Sequence, residues 1–180
     1  MTSVDAVYRD VLRRRPTAAW AATLGAEGGQ ISMLLTSFVS LSTAPVMFGF
    51  VANPRGYFGR NVSEALPVAL TLLTEAQLPL ALRLSGEAEP RWAWGDERLV
   101  VNEDGLHLPG DFVGQFSGRI ESVTSIGSGL FVVVGGVRAE RGGDEQVLYR
   151  HQGAFLARTP PIEEALAPPT ARPARRRQAR

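Results

Sequence analysis

The fold is constrained most by a series of short apolar runs, each of β-strand length and bounded by glycine or proline. The clearest run covers residues 46–52 and stops at residues 53–56, Asn-Pro-Arg-Gly, where the chain must turn. Two more runs, at residues 19–24 and 31–35, flank a glycine-rich segment at 25–29. This arrangement predicts a β-hairpin.

The second half of the chain predicts more strands. Between residues 112 and 121 apolar and polar residues alternate, which is the pattern of a half-exposed antiparallel strand. A buried strand is expected at 68–73, and the runs at 130–137 and 146–150 are predicted to pair with each other across a turn at 140–144. Many short strands separated by glycines predict a mainly β fold, a small barrel.

Two or three short helices are expected around this barrel. Apolar residues recur at helical spacing in residues 1–15, so this segment is predicted to form an amphipathic helix that caps the barrel or a partner subunit. A second helix is predicted at 57–66 because Pro67 closes that segment. Thr74 is a suitable N-cap for a third helix.

Charge is distributed unevenly along the chain. All 19 basic residues are arginine and five of them follow residue 167, whereas all 18 carboxylates precede it. The body is therefore mildly acidic and is not expected to bind nucleic acid. The last residues contain no large apolar side chain and are expected to be disordered. We therefore divide the chain into a helical arm at 1–16, a barrel domain at 17–167 and a tail at 168–180.

Composition excludes several kinds of chemistry. The chain has no cysteine and only two histidines, so disulfides, iron–sulfur clusters and cysteine nucleophiles are excluded and no metal site is expected. No apolar stretch reaches the roughly 20 residues that a membrane-spanning helix needs. The protein is expected to be soluble, cytoplasmic and free of membrane contact, and its chemistry is expected to require a bound cofactor.

Hydroxyl residues interrupt an otherwise strand-like segment at residues 32–46. Thr36, Ser37, Ser40 and Ser42 lie within it, although a buried strand gains nothing from so many hydroxyls. One interpretation is that they hydrogen-bond a polar ligand lying across the strand. The other is that they satisfy local backbone groups at a bulge. The pattern alone leaves both open.

This segment, from Ser32-Met33 through Thr36-Ser37-Phe38 to Pro45, resembles the hydroxyl-rich signature of the flavin reductase-like, FMN-binding split-barrel family. Three other segments, at 51–58, 69–77 and 148–155, resemble further family motifs at the family's spacing. The resemblance covers about residues 17–157. It implies a six-stranded antiparallel split β-barrel with Greek-key connections that forms a homodimer and binds flavin near the dimer interface.

The resemblance also assigns roles to residues. It implies that the strand end at 34–37 holds the ring and ribityl part of FMN or FAD, and that the turn at 53–57 surrounds the phosphate. Chemistry agrees at Arg55, because a guanidinium and free backbone N–H groups just before a helix can hold one anion. The candidate flavin-binding residues are Leu34, Leu35, Thr36, Ser37, Ser40, Asn53, Arg55, Gly56 and Tyr57.

Two positions concern the reductant, NADH or NADPH. His151 is the candidate catalytic residue, because the family match places it near the flavin ring or the nicotinamide. Alternatively, its ring caps a strand end by bonding to backbone. The family usually carries an Asp-His pair whose histidine helps to place the nicotinamide, and the corresponding positions here are Gly129 and Leu130.

The resemblance therefore implies a flavin reductase that transfers a hydride from NAD(P)H to flavin and supplies reduced flavin to a partner monooxygenase. The alternative is a split-barrel protein that binds flavin or another aromatic small molecule, has lost nicotinamide reduction and serves a non-redox step, such as a cyclisation in secondary metabolism. The missing Asp-His pair keeps this alternative open, because the flavin contacts survive better than the reductant contacts.

Overall fold

The computed structural model describes residues 3–27, 29–86 and 98–156, and antiparallel β-strands dominate it. The predicted mainly β fold with short helices is confirmed. The predicted tail at 168–180 lies outside the described residues. In chain order the elements are α1 (Val4–Arg13), β1 (Thr17–Ala18), β2 (Trp20–Ala26), β3 (Gly29–Leu35), β4 (Val39–Thr43), β5 (Val46–Ala52), α2 (Tyr57–Asn61), β6 (Pro67–Leu72), α3 (Leu78–Leu84), β7 (Leu99–Val101), β8 (His107–Pro109), β9 (Gly114–Ile126), β10 (Gly129–Arg141), β11 (Tyr149–His151) and β12 (Ala154–Leu156).

The main sheet contains seven strands in the spatial order β3-β2-β6-β9-β10-β5-β4, where the family resemblance implied six. Strands β3 and β4 lie at opposite ends of this order, yet only residues 36–38 connect them. Such a connection spans at most about 14 Å, whereas seven strands laid flat extend about 28 Å. The sheet must therefore curl until its two edges approach each other, which is the geometry of a split barrel.

Aromatic side chains fill the interior beside this connection. Trp20 in β2 stacks on Phe38 with 4.8 Å between ring centroids and on Phe116 with 5.6 Å. Phe38 also contacts Phe48, and both Trp20 and Phe48 are buried. Each such pair contributes about 0.5–1.5 kcal/mol beyond the burial of its area. Phe38 therefore anchors the connection at residues 36–38 to the core.

The predicted hairpin of residues 19–24 and 31–35 is confirmed, because β2 pairs with β3. The predicted pairing of 130–137 with 146–150 is wrong. In β10, residues 130–134 are paired with β9 on one side and with β5 on the other, so this part of the strand has no free edge. Strand β11 instead lies between β1 and β12 in a separate three-stranded sheet.

The second and third helices form in the segments where the sequence predicts them. Helix α2 ends earlier than predicted, at Asn61, because Val62 adopts an extended backbone with φ −74° and ψ 129°. The Asn61 side chain also donates a hydrogen bond to the Tyr57 carbonyl at 2.7 Å, which closes the helix end. Thr74 caps a 3₁₀ turn at Glu75–Gln77, through a capping box with Gln77, and this turn leads directly into α3.

Helix α1 forms where the apolar spacing predicted it, with Ser3 as its N-cap. None of its residues is buried, and the relative exposure of Val4 is 84%. The helix therefore does not cap its own barrel through its apolar side. Across the described ranges, no helix combines the length and apolar character needed to cross a membrane.

Candidate functional site

A cleft of about 900 Å³ opens where the connection at 36–38, the end of β5 and the tip of the β9-β10 hairpin meet. We call it the strand-end cleft. Its volume lies within the range of roughly 300–1,000 Å³ that is typical of small-molecule sites. Six of the nine predicted flavin-binding residues line it: Leu34, Leu35, Thr36, Ser37, Asn53 and Arg55.

The Ser37 hydroxyl takes the place of backbone hydrogen bonds at the end of the β4-β5 ladder. The register that pairs Val39 with Gly49 places Ser37 opposite Val51, in the connection that leads from β3 into β4. The Ser37 hydroxyl accepts a hydrogen bond from the Val51 N–H at 3.0 Å and donates one to the Val51 carbonyl at 3.2 Å. A hydroxyl has one donor and two acceptor sites. Ser37 therefore keeps only one acceptor site for a ligand.

The other hydroxyl residues of this segment divide between the two interpretations that the sequence left open. Ser42 accepts a hydrogen bond from the Ala44 N–H at 3.3 Å, so it satisfies backbone as Ser37 does. Ser40 lies exposed in β4 and is not part of the cleft lining. Thr36 lines the cleft, and its hydroxyl has no hydrogen-bond partner within the described ranges. Thr36 is therefore the hydroxyl most available to a ligand.

The two leucines of the strand end take part in different ways. Leu35 is only 3% exposed and belongs to the main core, so it offers mainly backbone to the cleft. Leu34 is half-buried and packs against a second core cluster beside α3. Both leucines hold the strand end in place, and Leu34 also contributes apolar side-chain surface to the cleft.

The turn after β5 is organised by Asn53. Its side-chain oxygen accepts a hydrogen bond from the Arg55 N–H at 3.0 Å, and its carbonyl accepts one from the Gly56 N–H at 3.0 Å. The N–H groups of Arg55 and Gly56 are therefore already bonded within the turn and are not free for an anion. The exposed Arg55 guanidinium is the cationic group that this turn offers to the cleft.

The first residues of α2 stand beside the turn and outside the cleft lining. Gly56 is the N-cap of α2, and Tyr57 is its first residue. The Arg60 guanidinium lies 5.7 Å from the centre of the Tyr57 ring, so Arg60 faces its own helix. A Cβ at Gly59 would lie 2.1 Å from the Asn53 carbonyl oxygen, so glycine is needed for α2 to pack against the turn.

The tip of the β9-β10 hairpin forms the remaining side of the cleft. Gly129 and Leu130, where the sequence resemblance leads us to expect an Asp-His pair, both line it. Sequence reasoning did not include residues 125–128, which also line it. The available signal was the pair Gly127-Ser128 between two strand patterns, since Gly127 has φ +57° and forms a tight turn. Ser125 and Ser128 bring hydroxyls to this wall, whereas Gly129 and Leu130 bring no polar side chain.

A second cleft, of about 590 Å³, adjoins the first and shares Thr36 and Ser37 with it. We call it the arginine cleft, because three of its lining residues are Arg13, Arg15 and Arg150. It lies between the end of α1 and the β11-β12 turn. Sequence reasoning did not find it, because its arginines come from segments more than a hundred residues apart and only the fold brings them together.

His151 lies next to the arginine cleft but is not part of either lining. Its Nε2 lies 3.0 Å from the Arg14 carbonyl oxygen, which fixes Nε2 as the donor of this hydrogen bond. The structure therefore matches the interpretation in which the histidine ring bonds backbone. In this position His151 ties the end of α1 to β11.

Comparison with known families identifies the fold. The family described as "Flavin reductase like domain" matches residues 13–157, most of the chain. The protein belongs to this family, and the resemblance predicted from the sequence is confirmed. Together with the split sheet and its strand-end cleft, this places the chain among flavin reductase-like split-barrel proteins.

Individual relatives are distant but cover most of the chain. An NADH:FMN oxidoreductase from Rhodococcus qingshengii is 27% identical over 158 residues, which is 85% of this chain and 81% of that relative. A Streptomyces globisporus NADH:FAD oxidoreductase, solved with NAD and FAD fragments, has a TM-score of 0.77 at 18% identity and covers 87% of this chain and 94% of its own. The styrene monooxygenase flavin reductase of Pseudomonas putida S12 has a TM-score of 0.72 at 17% identity, covering 86% and 98%.

Proposed function

We propose that the strand-end cleft binds FMN or FAD and that the protein is an NAD(P)H:flavin oxidoreductase. The observation that carries the proposal is that one cleft joins the Thr36 hydroxyl, the Arg55 guanidinium and an apolar wall that includes Leu130. A flavin nucleotide has the three matching parts, which are a hydroxylated chain, a phosphate and a flat ring. The residues present therefore fit the group.

In this proposal each side of the cleft has its own task. The Thr36 hydroxyl hydrogen-bonds the hydroxylated chain, and Arg55 pairs with the phosphate through a charge-assisted contact. Leu34 and Leu130 pack against the ring and exclude water. Ser37 holds the strand end against Val51, so that these groups keep their places. The protein thus contributes position and a dry surface.

The reaction itself depends on the bound group. Flavin supplies the acceptor for a hydride from a nicotinamide dinucleotide, which is chemistry that amino-acid side chains do not provide. The relatives named NADH:FMN and NADH:FAD oxidoreductases support this assignment. Neither FMN nor FAD is favoured by those names, and NADH is the reductant that both name.

One observation supports a second candidate, a ligand-binding barrel without nicotinamide reduction. Gly129 and Leu130 line the strand-end cleft, and neither carries a side-chain group that can hydrogen-bond a nicotinamide. A slow reductase and a repurposed barrel both agree with this wall. They differ in whether bound flavin accepts electrons from NADH faster than free flavin does.

We also propose that the protein is a homodimer in which α1 packs on the partner subunit. The helix exposes Val7 at 51% and Val11 at 59%, and a helix of ten residues without packing is marginal in water. Strand β5 also exposes Val46 and Val51, at 49% and 47%. A second copy would cover both surfaces.

The styrene monooxygenase reductase among the relatives supports a flavin-dependent monooxygenase as the partner that consumes reduced flavin.

The test of flavin binding compares FMN with riboflavin, which lacks the phosphate, in wild-type protein and in Arg55→Ala. Loss of a charged contact to phosphate costs about 1.5–3 kcal/mol, so FMN affinity should fall about tenfold or more. Riboflavin affinity should hardly change. Flavin fluorescence titration measures both.

Arg141→Ala is the matched control, because Arg141 pairs with the exposed Asp144 at the far end of β10 from Gly129. It should bind both flavins as the wild type does. Equal losses for FMN and riboflavin in Arg55→Ala would contradict the phosphate assignment. Absence of any flavin binding by the wild type would contradict the proposed function.

A further inference from the structure

The arginine cleft collects positive charge from two distant parts of the chain. Arg13 and Arg15 come from the end of α1 and the residues after it, whereas Arg150 comes from β11. Among the described residues that line this cleft there is no carboxylate. Three guanidinium groups around one concave surface repel each other unless an anion lies between them.

The side chains of Arg13 and Arg15 are not committed to other partners. The neighbouring Arg14 differs, because it forms an ion pair with Asp10 at 3.0 Å. Within residues 3–27, 29–86 and 98–156, neither Arg13 nor Arg15 forms an ion pair or a side-chain hydrogen bond. Arg150 lies over the Phe155 ring, 6.0 Å from its centre, which orients it without neutralising it.

The backbone around these arginines is fixed. The Gln152 N–H donates to the Arg13 carbonyl at 2.8 Å, and the His151 ring donates to the Arg14 carbonyl at 3.0 Å. Gln152 and Gly153 have φ of +52° and +84°, as in a tight two-residue hairpin turn between β11 and β12. Hydrogen bonds therefore hold the end of α1 against this turn, and residues from both segments line the cleft.

The position of the cleft connects it to the proposed flavin site. Thr36 and Ser37 line both clefts, so a single extended ligand, or two ligands in contact, can occupy the two spaces across this strand end. Arg55 belongs to the strand-end cleft alone. It already provides a cation for the phosphate of the flavin mononucleotide.

We propose that the arginine cleft binds the adenosine diphosphate half of a dinucleotide, with Arg13, Arg15 and Arg150 pairing with its phosphates. This inference rests on the proposed function, which places the flavin ring and its own phosphate in the strand-end cleft. Both FAD and NAD(P)H carry this half, so the same chemistry has two sources. A guanidinium forms bidentate pairs with phosphate oxygens, which is why arginine suits this role.

The test titrates ADP into protein saturated with FMN and follows binding by calorimetry. We compare the wild type with Arg13→Gln/Arg15→Gln and, separately, with Arg150→Gln. Glutamine retains helix propensity and removes the charge. Arg9→Gln is the matched control, because Arg9 lies in α1, is exposed and does not line the cleft. Far-ultraviolet circular dichroism checks that every variant is folded.

Wild type and Arg9→Gln should bind ADP without releasing FMN, and the cleft variants should bind it about tenfold more weakly or worse. If FMN itself does not bind, the proposed function fails, and the same titration on the protein without flavin still tests the cleft. Two further measurements identify whether FAD or NAD(P)H supplies the adenosine diphosphate half. A selective loss of FAD affinity over FMN affinity assigns the cleft to the flavin, whereas a raised KM for NADH at unchanged flavin affinity assigns it to the reductant.

Three results would overturn the proposal. The first is that wild-type protein does not bind ADP at millimolar concentration. The second is that the cleft variants bind ADP as tightly as Arg9→Gln does. The third is that ADP displaces FMN, or that the cleft variants lose FMN and FAD equally, since either would place the mononucleotide phosphate at these arginines.

Discussion

Replacing Ser37 by alanine removes the hydroxyl that completes the β4-β5 ladder. Two hydrogen bonds to Val51 are lost, at 3.0 and 3.2 Å, and both backbone groups of Val51 lose their partner. Each hydrogen bond contributes about 0.5–1.5 kcal/mol net, so both together are worth about 1–3 kcal/mol. Val51 is 47% exposed, so water replaces part of the loss. We expect Ser37→Ala to lower the free energy of unfolding by about 1–2 kcal/mol.

Urea unfolding of three variants measures this effect. Ser37→Thr retains a hydroxyl and should recover most of the stability. Ser40→Ala is the control, because Ser40 is exposed on the neighbouring strand and its hydroxyl has no partner in the described part of the chain. If Ser37→Ala were as stable as Ser40→Ala, the two Ser37 hydrogen bonds to Val51 would not stabilise the strand end, and this prediction would be refuted.

Three more substitutions test other parts of the site. Gly59→Ala places a Cβ 2.1 Å from the Asn53 carbonyl oxygen, so we expect a loss of about 1–3 kcal/mol in urea unfolding, with weaker FMN binding; an unchanged midpoint would contradict the close packing of α2 on the turn. His151→Ala removes the donor to the Arg14 carbonyl, so amide hydrogen exchange in α1 should accelerate, and unchanged protection would show that the bond does not hold the helix. Leu130→His places a histidine on the cleft wall at the position where the sequence resemblance implies one, and it should speed NADH-dependent flavin reduction about tenfold; an unchanged rate would mean that this position does not contact the nicotinamide.

The sequence predicted the local elements of this fold better than its pairings. The run at 46–52 became β5 with the same bounds, and Thr74 capped the 3₁₀ turn that leads into α3, because both signals depend on neighbouring residues alone. The strand at 146–150 was assigned to the wrong partner. Its true neighbours, β1 and β12, lie far away in sequence or after a two-residue turn, and their short patterns carry no pairing information.

In the candidate site, too, residues with an unusual local pattern were predicted, whereas features that depend on tertiary contacts were not. Thr36 and Arg55 were found because hydroxyls in a strand and an arginine in a turn are unusual locally, and the fold brings them to one cleft. The occupied N–H groups of Arg55 and Gly56 were not foreseen, because they depend on which atoms Asn53 bonds. The arginine cleft depends on the meeting of α1 with the β11-β12 turn, which no local pattern records.

The central claim is that this protein reduces flavin with a nicotinamide dinucleotide. Anaerobic stopped-flow mixing of flavin-loaded protein with NADH, and then with NADPH, tests it by following the bleaching of the visible flavin band. We predict bleaching faster than that of free flavin under the same conditions, although slow because Gly129 and Leu130 carry no side-chain group that can hydrogen-bond the nicotinamide. Bleaching no faster than free flavin with either nucleotide would contradict the claim and favour a barrel that only binds its ligand.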